Sequence, residues 1–199
     1  MQDRKTKIFP LLFILSFLIS ASNYSQNQDS LYRFNIDMSL GYGLHFTDLN
    51  FEGLTTEQGI FSFRFMWQPE HILRIGIESG YLPLYSLKTK VFDTIFGSTD
   101  VFLTLQSIPI MFVSATEVAK NFEVIAGIGG VILISEVNSF GNNVRSTMWS
   151  NAFELGTSYM IPIGEKYKMG AELKSFYLYR LENFYVSLQL TAKYDFYSY

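Results

Sequence analysis

The residues best suited to chemistry in this chain are two histidines. The sequence contains His45 and His71 and no cysteine, so disulfides and thiolate metal sites are excluded. His71 falls in a predicted turn, and His45 ends a predicted strand close to Asp48. Two distant histidines without cysteine do not form a zinc site. We therefore predict no metal, no cofactor and no enzymatic activity, and keep acid–base catalysis at His45 as the alternative.

Two other kinds of chemistry are disfavoured by sequence context and charge. The glycine-rich run Gly127-Ile128-Gly129-Gly130 lies inside a predicted strand, whereas a phosphate-binding loop joins a strand to a helix. The formal net charge is −3, which does not favour binding to nucleic acid. Nucleotide and nucleic-acid partners are therefore not expected.

The elements that carry these residues show a strict alternation of side-chain type. From Arg33 to Phe46 every even position is apolar, and every odd position is polar or glycine. Successive side chains of a strand point to opposite faces, so this pattern predicts a strand with one apolar and one polar face. Similar alternation predicts six more strands, at 61–67, 73–78, 122–129, 149–156, 167–174 and 184–196.

An eighth strand is predicted around Val101 to Val113, where the alternation is irregular. Leu103 and Leu105 follow one phase, and Ile108, Ile110 and Phe112 follow the other. A bulge near Gln106-Ser107 would return all of them to one face. Pro109 has no N–H to donate and fits a closed sheet poorly.

The N-terminal segment predicts export. Basic residues precede a run of twelve mostly apolar residues, Ile8 to Ile19, and the small residues Ser20-Ala21-Ser22 follow. This run is shorter than the ~20 residues of a membrane-spanning helix and matches the core of a signal peptide. We predict a signal peptide at residues 1–22 and a short periplasmic segment at 23–30. An uncleaved anchor helix is the alternative, and so is cleavage after Ser25.

The predicted strands suggest a barrel in a membrane. Connections at 68–71, 115–120 and 162–166 are short, whereas those at 47–58, 84–100 and 135–147 are long, an alternation typical of outer-membrane barrels. The interior of an eight-stranded barrel is too narrow for all the apolar side chains, so we place them against lipid. The fold class is therefore all-β, an eight-stranded antiparallel up-and-down transmembrane β-barrel at residues 31–199. A soluble, lipocalin-like barrel is the alternative.

The polar face carries six basic and six acidic residues, which predict a charge-paired plug in the lumen. Glu154 is expected opposite Lys174, Lys168 opposite Asp195, and Glu172 diagonal to Lys193. Replacing Glu154 would then leave the charge of Lys174 buried without a partner. An ion path is the alternative. These twelve residues are Arg33, Arg64, Arg74, Lys168, Lys174, Lys193, Asp37, Glu78, Glu123, Glu154, Glu172 and Asp195.

With its signal peptide, its alternating strands, the segment Leu105-Gln106-Ser107-Ile108-Pro109-Ile110 and an aromatic last strand, the chain resembles the outer-membrane β-barrel domain family of Bacteroidetes. That family includes PorT-like proteins and is related in architecture to the OmpA transmembrane domain. The resemblance implies a Gram-negative outer membrane and contact with its lipid. It also implies insertion by the barrel-assembly machinery, which reads an aromatic C-terminal strand, here Tyr194 and Phe196. It brings no catalytic residues.

We predict a non-enzymatic barrel with a structural or surface-interaction role through its extracellular loops. The alternatives are an accessory of a secretion or assembly apparatus, as PorT-like proteins are, and a lipid-modifying enzyme. The longest predicted loop, 84–100, carries Tyr85, Phe92, Ile95 and Phe96, which are apolar for a solvated loop and are expected to contact a protein partner. A hairpin that packs on itself is the alternative.

Overall fold

A computed structural model describes residues 32–47, 51–69, 73–93, 97–139 and 142–198 of the chain. Within these ranges the regular structure consists of nine strands: β1 (Arg33–Phe46), β2 (Leu54–Thr55), β3 (Glu57–Gln68), β4 (Leu73–Asp93), β5 (Gly97–Ala119), β6 (Phe122–Ser139), β7 (Asn142–Pro162), β8 (Tyr167–Leu178) and β9 (Asn183–Ser198). No helix in the described ranges has the length and apolar character needed to cross a membrane.

Eight of the strands close into a ring. The order is β4-β3-β1-β9-β8-β7-β6-β5, and β5 pairs back to β4. Every pairing is antiparallel, and the first and last strands of the barrel pair from Arg33↔Ser198 to Phe46↔Phe184. The two-residue strand β2 adds to the side of β4 at Leu54↔Leu87. The predicted eight-stranded antiparallel up-and-down barrel is confirmed.

The two ends of the barrel differ. At the lower end β1 begins and β9 ends, and the connections 69–72, 120–121 and 163–166 are short. At the upper end lie the connections 47–56, 94–96, 140–141 and 179–182. Asn121 and Glu182 adopt positive φ angles of 67° and 54°, which lets the chain reverse tightly at each end.

Two of the predicted long loops are strand for most of their length. β4 and β5 remain paired as far as Asp93↔Gly97, so the connection predicted at 84–100 shortens to 94–96. β6 and β7 remain paired as far as Ser139↔Asn142, which replaces most of the loop predicted at 135–147. These strand ends are rich in Ser, Thr and Asn and lose the alternation of apolar and polar residues, so they look like loops in the sequence.

The predicted bulge in β5 at Gln106-Ser107 is wrong. β5 pairs with β6 without a shift from Phe102↔Asn138 to Glu117↔Glu123, and the irregularity lies across from it, between Pro83 and Tyr85 of β4. Leu105 therefore faces the lumen, where it is buried, whereas Ile110 and Phe112 face outward and are exposed. The mixed phase in the sequence arises because this strand is apolar on both faces.

Pro109 is accommodated by a local gap in the ladder. The β4–β5 pairing skips from Ser79↔Ile110 to Leu82↔Ser107, at the level of the proline that lacks an N–H. The Ser79 hydroxyl donates a 2.8 Å hydrogen bond to the Pro109 carbonyl, and the Ser107 hydroxyl donates one to Leu82. Side-chain donors thus hold the two strands together beside the gap.

Some predictions lie outside the described residues. These are the signal peptide at 1–22, the segment 23–30, Asp48, His71, Ile95 and Phe96.

Candidate functional site

The lumen of the barrel contains a cluster of six buried charged residues at mid-height, which we name the central cluster: Asp37, Arg64, Glu78, Glu154, Glu172 and Lys174. They come from β1, β3, β4, β7 and β8, and each occupies the inward phase of its strand. The alternation of the sequence brings them together because inward positions of neighbouring strands share one layer of a barrel.

Arg64 binds three carboxylates of the central cluster. Its Nε lies 2.7 Å from Glu78, its Nη2 lies 2.7 Å from Glu172, and its Nη1 lies 3.3 Å from Asp37. Asp37 and Glu78 sit directly across from Arg64 on the two neighbouring strands. The planar guanidinium, with five N–H donors, suits this many acceptors.

Lys174 is fully buried and is the second cation of the central cluster. Its Nζ contacts Glu78, lies 2.8 Å from Glu172 and 3.7 Å from Glu154, and also donates to the Ser62 hydroxyl at 3.3 Å. Glu172 and Glu78 therefore bridge Lys174 to Arg64. Glu154 differs, because neither of its carboxylate oxygens has a hydrogen-bond partner among the described residues.

A second group, which we name the lower cluster, lies nearer the lower end. Glu123 accepts hydrogen bonds from Lys193 at 2.7 and 2.9 Å and also contacts Arg74. The Ser158 hydroxyl donates to the same carboxylate at 3.4 Å. One acid with two bases here offsets part of the excess of acids in the central cluster.

The registers of two hairpins differ from the predictions. Glu154 lies across from Phe176 and Lys174 across from Gly156, although the two charged side chains still meet diagonally. Lys168 lies across from Lys193 rather than Asp195, and Glu172 lies across from Gln189. Each turn is centred about one residue away from its predicted position. As a result, the residue opposite any given position is two residues away from the predicted one.

The other wall of the lumen is apolar, which sequence reasoning missed. β5 and β6 turn Leu105, Met111, Val113, Ile125 and Leu133 inward, and all five are buried. With Phe176, Leu178 and Tyr185 they form a continuous core cluster inside the barrel. The sequence did contain a signal for this wall, because β5 is apolar at both odd and even positions. A strand whose inner and outer faces are both apolar shows no alternation of apolar and polar residues.

Comparisons with known proteins agree with this architecture. The attachment invasion locus protein Ail of Yersinia pestis, solved with the heparin analogue sucrose octasulfate, has 9% sequence identity and a TM-score of 0.52; the match covers 85% of this chain and 100% of Ail. OprG from Pseudomonas aeruginosa has 10% identity and a TM-score of 0.50, with 83% and 97% of the two chains covered. The fold is that of an outer-membrane β-barrel.

The likeness concerns the fold alone. No protein-family model matches the chain, and no curated protein matches its sequence. The resemblance to PorT-like proteins of Bacteroidetes stays a prediction.

Lys168 and Asp195 lie near the lower ends of β8 and β9, and the upper end contains His45 and the described residues of the predicted partner-binding loop. His45 is buried, its backbone N–H donates to Thr56 at 3.2 Å, and its ring stacks on Tyr85 with centroids 5.9 Å apart. Tyr85 is partly buried and packs on the core cluster, so it lies at the barrel mouth and not at a loop tip. Phe92 lies near the end of β4.

The geometry around His45 does not assemble a hydrolytic triad. Neither ring nitrogen of His45 has a hydrogen-bond partner among the described residues, so no carboxylate there orients the imidazole. Within the same ranges no three histidine, aspartate or glutamate side chains lie close enough to hold a metal ion.

Proposed function

We propose that this chain spans the outer membrane of a Gram-negative bacterium, is exported with a cleaved signal peptide, and presents its upper end to partners outside the cell without enzymatic chemistry. One observation supports the proposal above all others. Large apolar side chains are exposed on the outer wall of the barrel, while its charged side chains are buried in the lumen. This distribution is the reverse of that in a soluble protein.

The exposed apolar side chains form a complete belt. Every one of the eight barrel strands contributes to it, with Leu40, Phe63, Ile77, Phe112, Ile128, Leu155, Leu173 and Leu190 as examples. Leu40 and Leu190 are paired across β1 and β9 and are 67% and 73% exposed. Soluble monomers rarely expose a continuous apolar surface of this extent, so the belt supports contact with lipid.

Aromatic rings border the belt at both ends. At the lower end Phe34 contacts Phe65, Trp67, Phe196 and Tyr197, with ring centroids 6.0–6.4 Å apart. At the upper end the exposed rings include Phe46, Trp149, Tyr179 and Phe184. Such girdles mark the two membrane–water interfaces of outer-membrane barrels.

The upper end then faces the outside of the cell, because the β4–β5 and β6–β7 hairpins extend beyond the belt there, and barrels of this kind place their longer hairpins outside the cell and their short turns in the periplasm. Above the belt β4, β5, β6 and β7 continue as a four-stranded sheet. Within the barrel β3 pairs with β4 only as far as Phe61↔Tyr81, and β8 pairs with β7 only from Ala152↔Leu178. This projecting sheet lies above the proposed membrane.

We place partner binding at the tip of the β4–β5 hairpin, where the sequence concentrates Phe92, Ile95 and Phe96. The test replaces residues 91–99 with a short Gly-Ser linker, which leaves the Thr89↔Val101 pair in place. The matched control shortens the β6–β7 tip at 139–142. We expect both variants to assemble, and only the first to lose the partner that co-purifies with the full chain from native membranes.

Two results would contradict the proposal. If the β4–β5 variant retains the partner, the hairpin tip is not the binding surface. If the full chain is recovered from the soluble fraction after cell lysis, the protein is not located in a membrane.

A further inference from the structure

One edge of the projecting sheet is formed by the upper part of β7. β7 pairs with β6 as far as Ser139↔Asn142, whereas its pairing with β8 begins only at Ala152↔Leu178. Among the strands of the described ranges, none other pairs with this side of β7. The side chains of residues 142–147 are all exposed. Residues 142–149 are therefore an open strand edge, which we name the β7 edge.

The backbone of the β7 edge turns a row of hydrogen-bonding groups away from the sheet. The Tyr179 N–H donates to the Asn151 carbonyl at 3.0 Å, so the backbone groups of Asn151 face away from β6. β6 and β7 pair without a register shift, and backbone groups alternate between the two sides of an antiparallel strand. The N–H and C=O groups of Asn143, Arg145 and Thr147 therefore face away from β6 as well. This is the arrangement that an added strand needs to extend a sheet.

The opposite edge of the projecting sheet is covered by the chain itself. β2 pairs with β4 at Leu54↔Leu87, and the Lys88 N–H donates to the Gly53 carbonyl at 3.3 Å. Proteins protect exposed edges with such covering segments, or with proline, bulges and lysine. The β7 edge contains no proline and no lysine, and its pairing with β6 shows no bulge. The chain thus covers one edge of the sheet and leaves the other able to pair.

The two ends of this chain and a second copy in the same membrane are unsuitable as the added strand. β1 begins and β9 ends at the lower end, away from the β7 edge. Strands of membrane barrels tilt by about 35–45°. Two upright copies that face each other are related by a half-turn about the membrane normal, so their β7 strands would cross at roughly 70–90° and could not form a ladder. The added strand therefore comes from another protein.

The charges beside the β7 edge indicate an acidic segment. The side chain of Arg145 is 61% exposed, and its ion pair with Glu136 is long at 3.5 Å. At the lower end of the edge, the guanidinium of Arg180 donates to the Trp149 carbonyl at 3.5 Å. Between them, these two guanidinium groups have one ion pair among the described residues. A carboxylate in the added strand would complement them, because arginine pairs well with carboxylates.

We propose that the β7 edge binds an extended, acidic segment of another protein as an additional strand. Main-chain hydrogen bonds to Asn143, Arg145 and Thr147 supply the affinity, and a carboxylate beside Arg145 supplies selectivity. On the other face of the sheet Val144, which is 66% exposed, packs on an apolar residue of the segment. The proposal goes beyond the proposed function, because it adds a binding mode and a surface that does not include the β4–β5 hairpin tip.

The test uses the full mature chain in detergent and three fluorescent peptides. The first peptide alternates threonine and valine around a central aspartate. The second has the same sequence with every amide N-methylated, which removes its main-chain donors, and the third has lysine in place of aspartate. Fluorescence anisotropy measures binding. We expect the N-methylated peptide to bind at least tenfold more weakly than the first, and the lysine peptide at least threefold more weakly.

Thr147→Pro and Thr147→Ala form a matched pair of variants. Since the Thr147 N–H faces away from β6, proline removes a donor of the β7 edge and leaves the β6–β7 ladder in place. Alanine keeps the donor. We expect the proline variant to bind the aspartate peptide at least tenfold more weakly and the alanine variant to bind it as the native chain does. An altered mobility on heating in SDS gels verifies that each variant is folded.

The proposal is overturned if the aspartate peptide does not bind, if either of the other peptides binds equally well, or if the folded Thr147→Pro variant binds as the native chain does. A chain that dimerises in detergent and becomes monomeric with Thr147→Pro would also overturn it, because the edge would then belong to a second copy. The variant with a linker at 91–99 is expected to bind the peptide normally, which separates this site from the hairpin tip. None of these outcomes depends on membrane location.

Discussion

At the scale of single residues, the amine of Lys174 is fully buried and is surrounded by three carboxylates. Glu78, Glu154 and Glu172 all lie within ion-pair distance of its Nζ. Lys174→Met keeps most of the volume but leaves these acids with one cation, Arg64. Breaking a buried ion pair by removing one partner costs about 3–5 kcal/mol, so we expect a loss of that size in the free energy of unfolding. Reversible denaturant unfolding in lipid vesicles measures it.

The matched control for this experiment is Lys120→Met. Lys120 lies in an exposed turn at the lower end. Exposed substitutions of this kind change stability by less than about 0.5 kcal/mol. Equal losses from the two variants would show that the buried ion pairs do not stabilise the barrel.

Glu154 is expected to behave in the opposite way. The sequence predicts that removing Glu154 leaves Lys174 buried without a partner. In the structure, Lys174 also binds Glu78 and Glu172. The carboxylate of Glu154 accepts no hydrogen bond from the described residues. The central cluster contains four acidic residues and only two basic ones, so Glu154 is in excess. We expect Glu154→Gln to change the free energy of unfolding by less than about 1 kcal/mol, or to raise it, because the substitution removes a buried charge that accepts no hydrogen bond and has only one long ion pair. A loss as large as that of Lys174→Met in the same unfolding assay would contradict this.

At the scale of elements, the sequence was sufficient where a strand separates an apolar outer face from a polar lumen. β1 and β9 could be bounded closely, because every second residue there is apolar. β5 could not, since Leu105 and Met111 face an apolar lumen wall while Ile110 and Phe112 face outward. The projecting ends of β4 and β7 could not be bounded from the sequence either, because they lie beyond the barrel and lack a regular alternation of apolar and polar residues.

The candidate site was predictable to a similar extent. Alternation identified which charged residues share the lumen, since it depends only on the strand period. It did not identify their partners, because those depend on where each turn is centred. It also gave no signal for the stacking of His45 on Tyr85, which joins β1 to β4 at the upper end.

One glycine tests the packing of neighbouring strands directly. A Cβ on Gly170 of β8 would clash with the backbone oxygen of Tyr159 on β7, so one of the two strands must move. We expect Gly170→Ala to lower the free energy of unfolding by about 1–3 kcal/mol, the usual cost of overpacking. Gly164→Ala is the control, because a Cβ in that turn meets nothing within 4 Å. If both variants unfold at the same denaturant concentration, the strands are not as close as described.

At the scale of the whole molecule, the lumen contains three groups of buried side chains. These are the lower cluster, the central cluster and the core cluster around Leu105, Phe176 and Tyr185. Eight strands enclose a space just wide enough for side chains. We therefore expect no stable conductance steps in planar bilayers, and ion-selective steps of porin size would show that the clusters open.

The central claim is that the apolar belt faces the hydrocarbon of a membrane. Its most direct test is the quenching of tryptophan fluorescence by brominated lipids, because the chain has only two native tryptophans, Trp67 and Trp149. Leu40→Trp, in a chain that also carries Trp67→Phe and Trp149→Phe, places one fluorophore midway along β1 in the belt. We predict that lipids brominated deep in their acyl chains quench it most strongly and that aqueous iodide does not quench it. Quenching by iodide together with indifference to the brominated lipids would contradict the account.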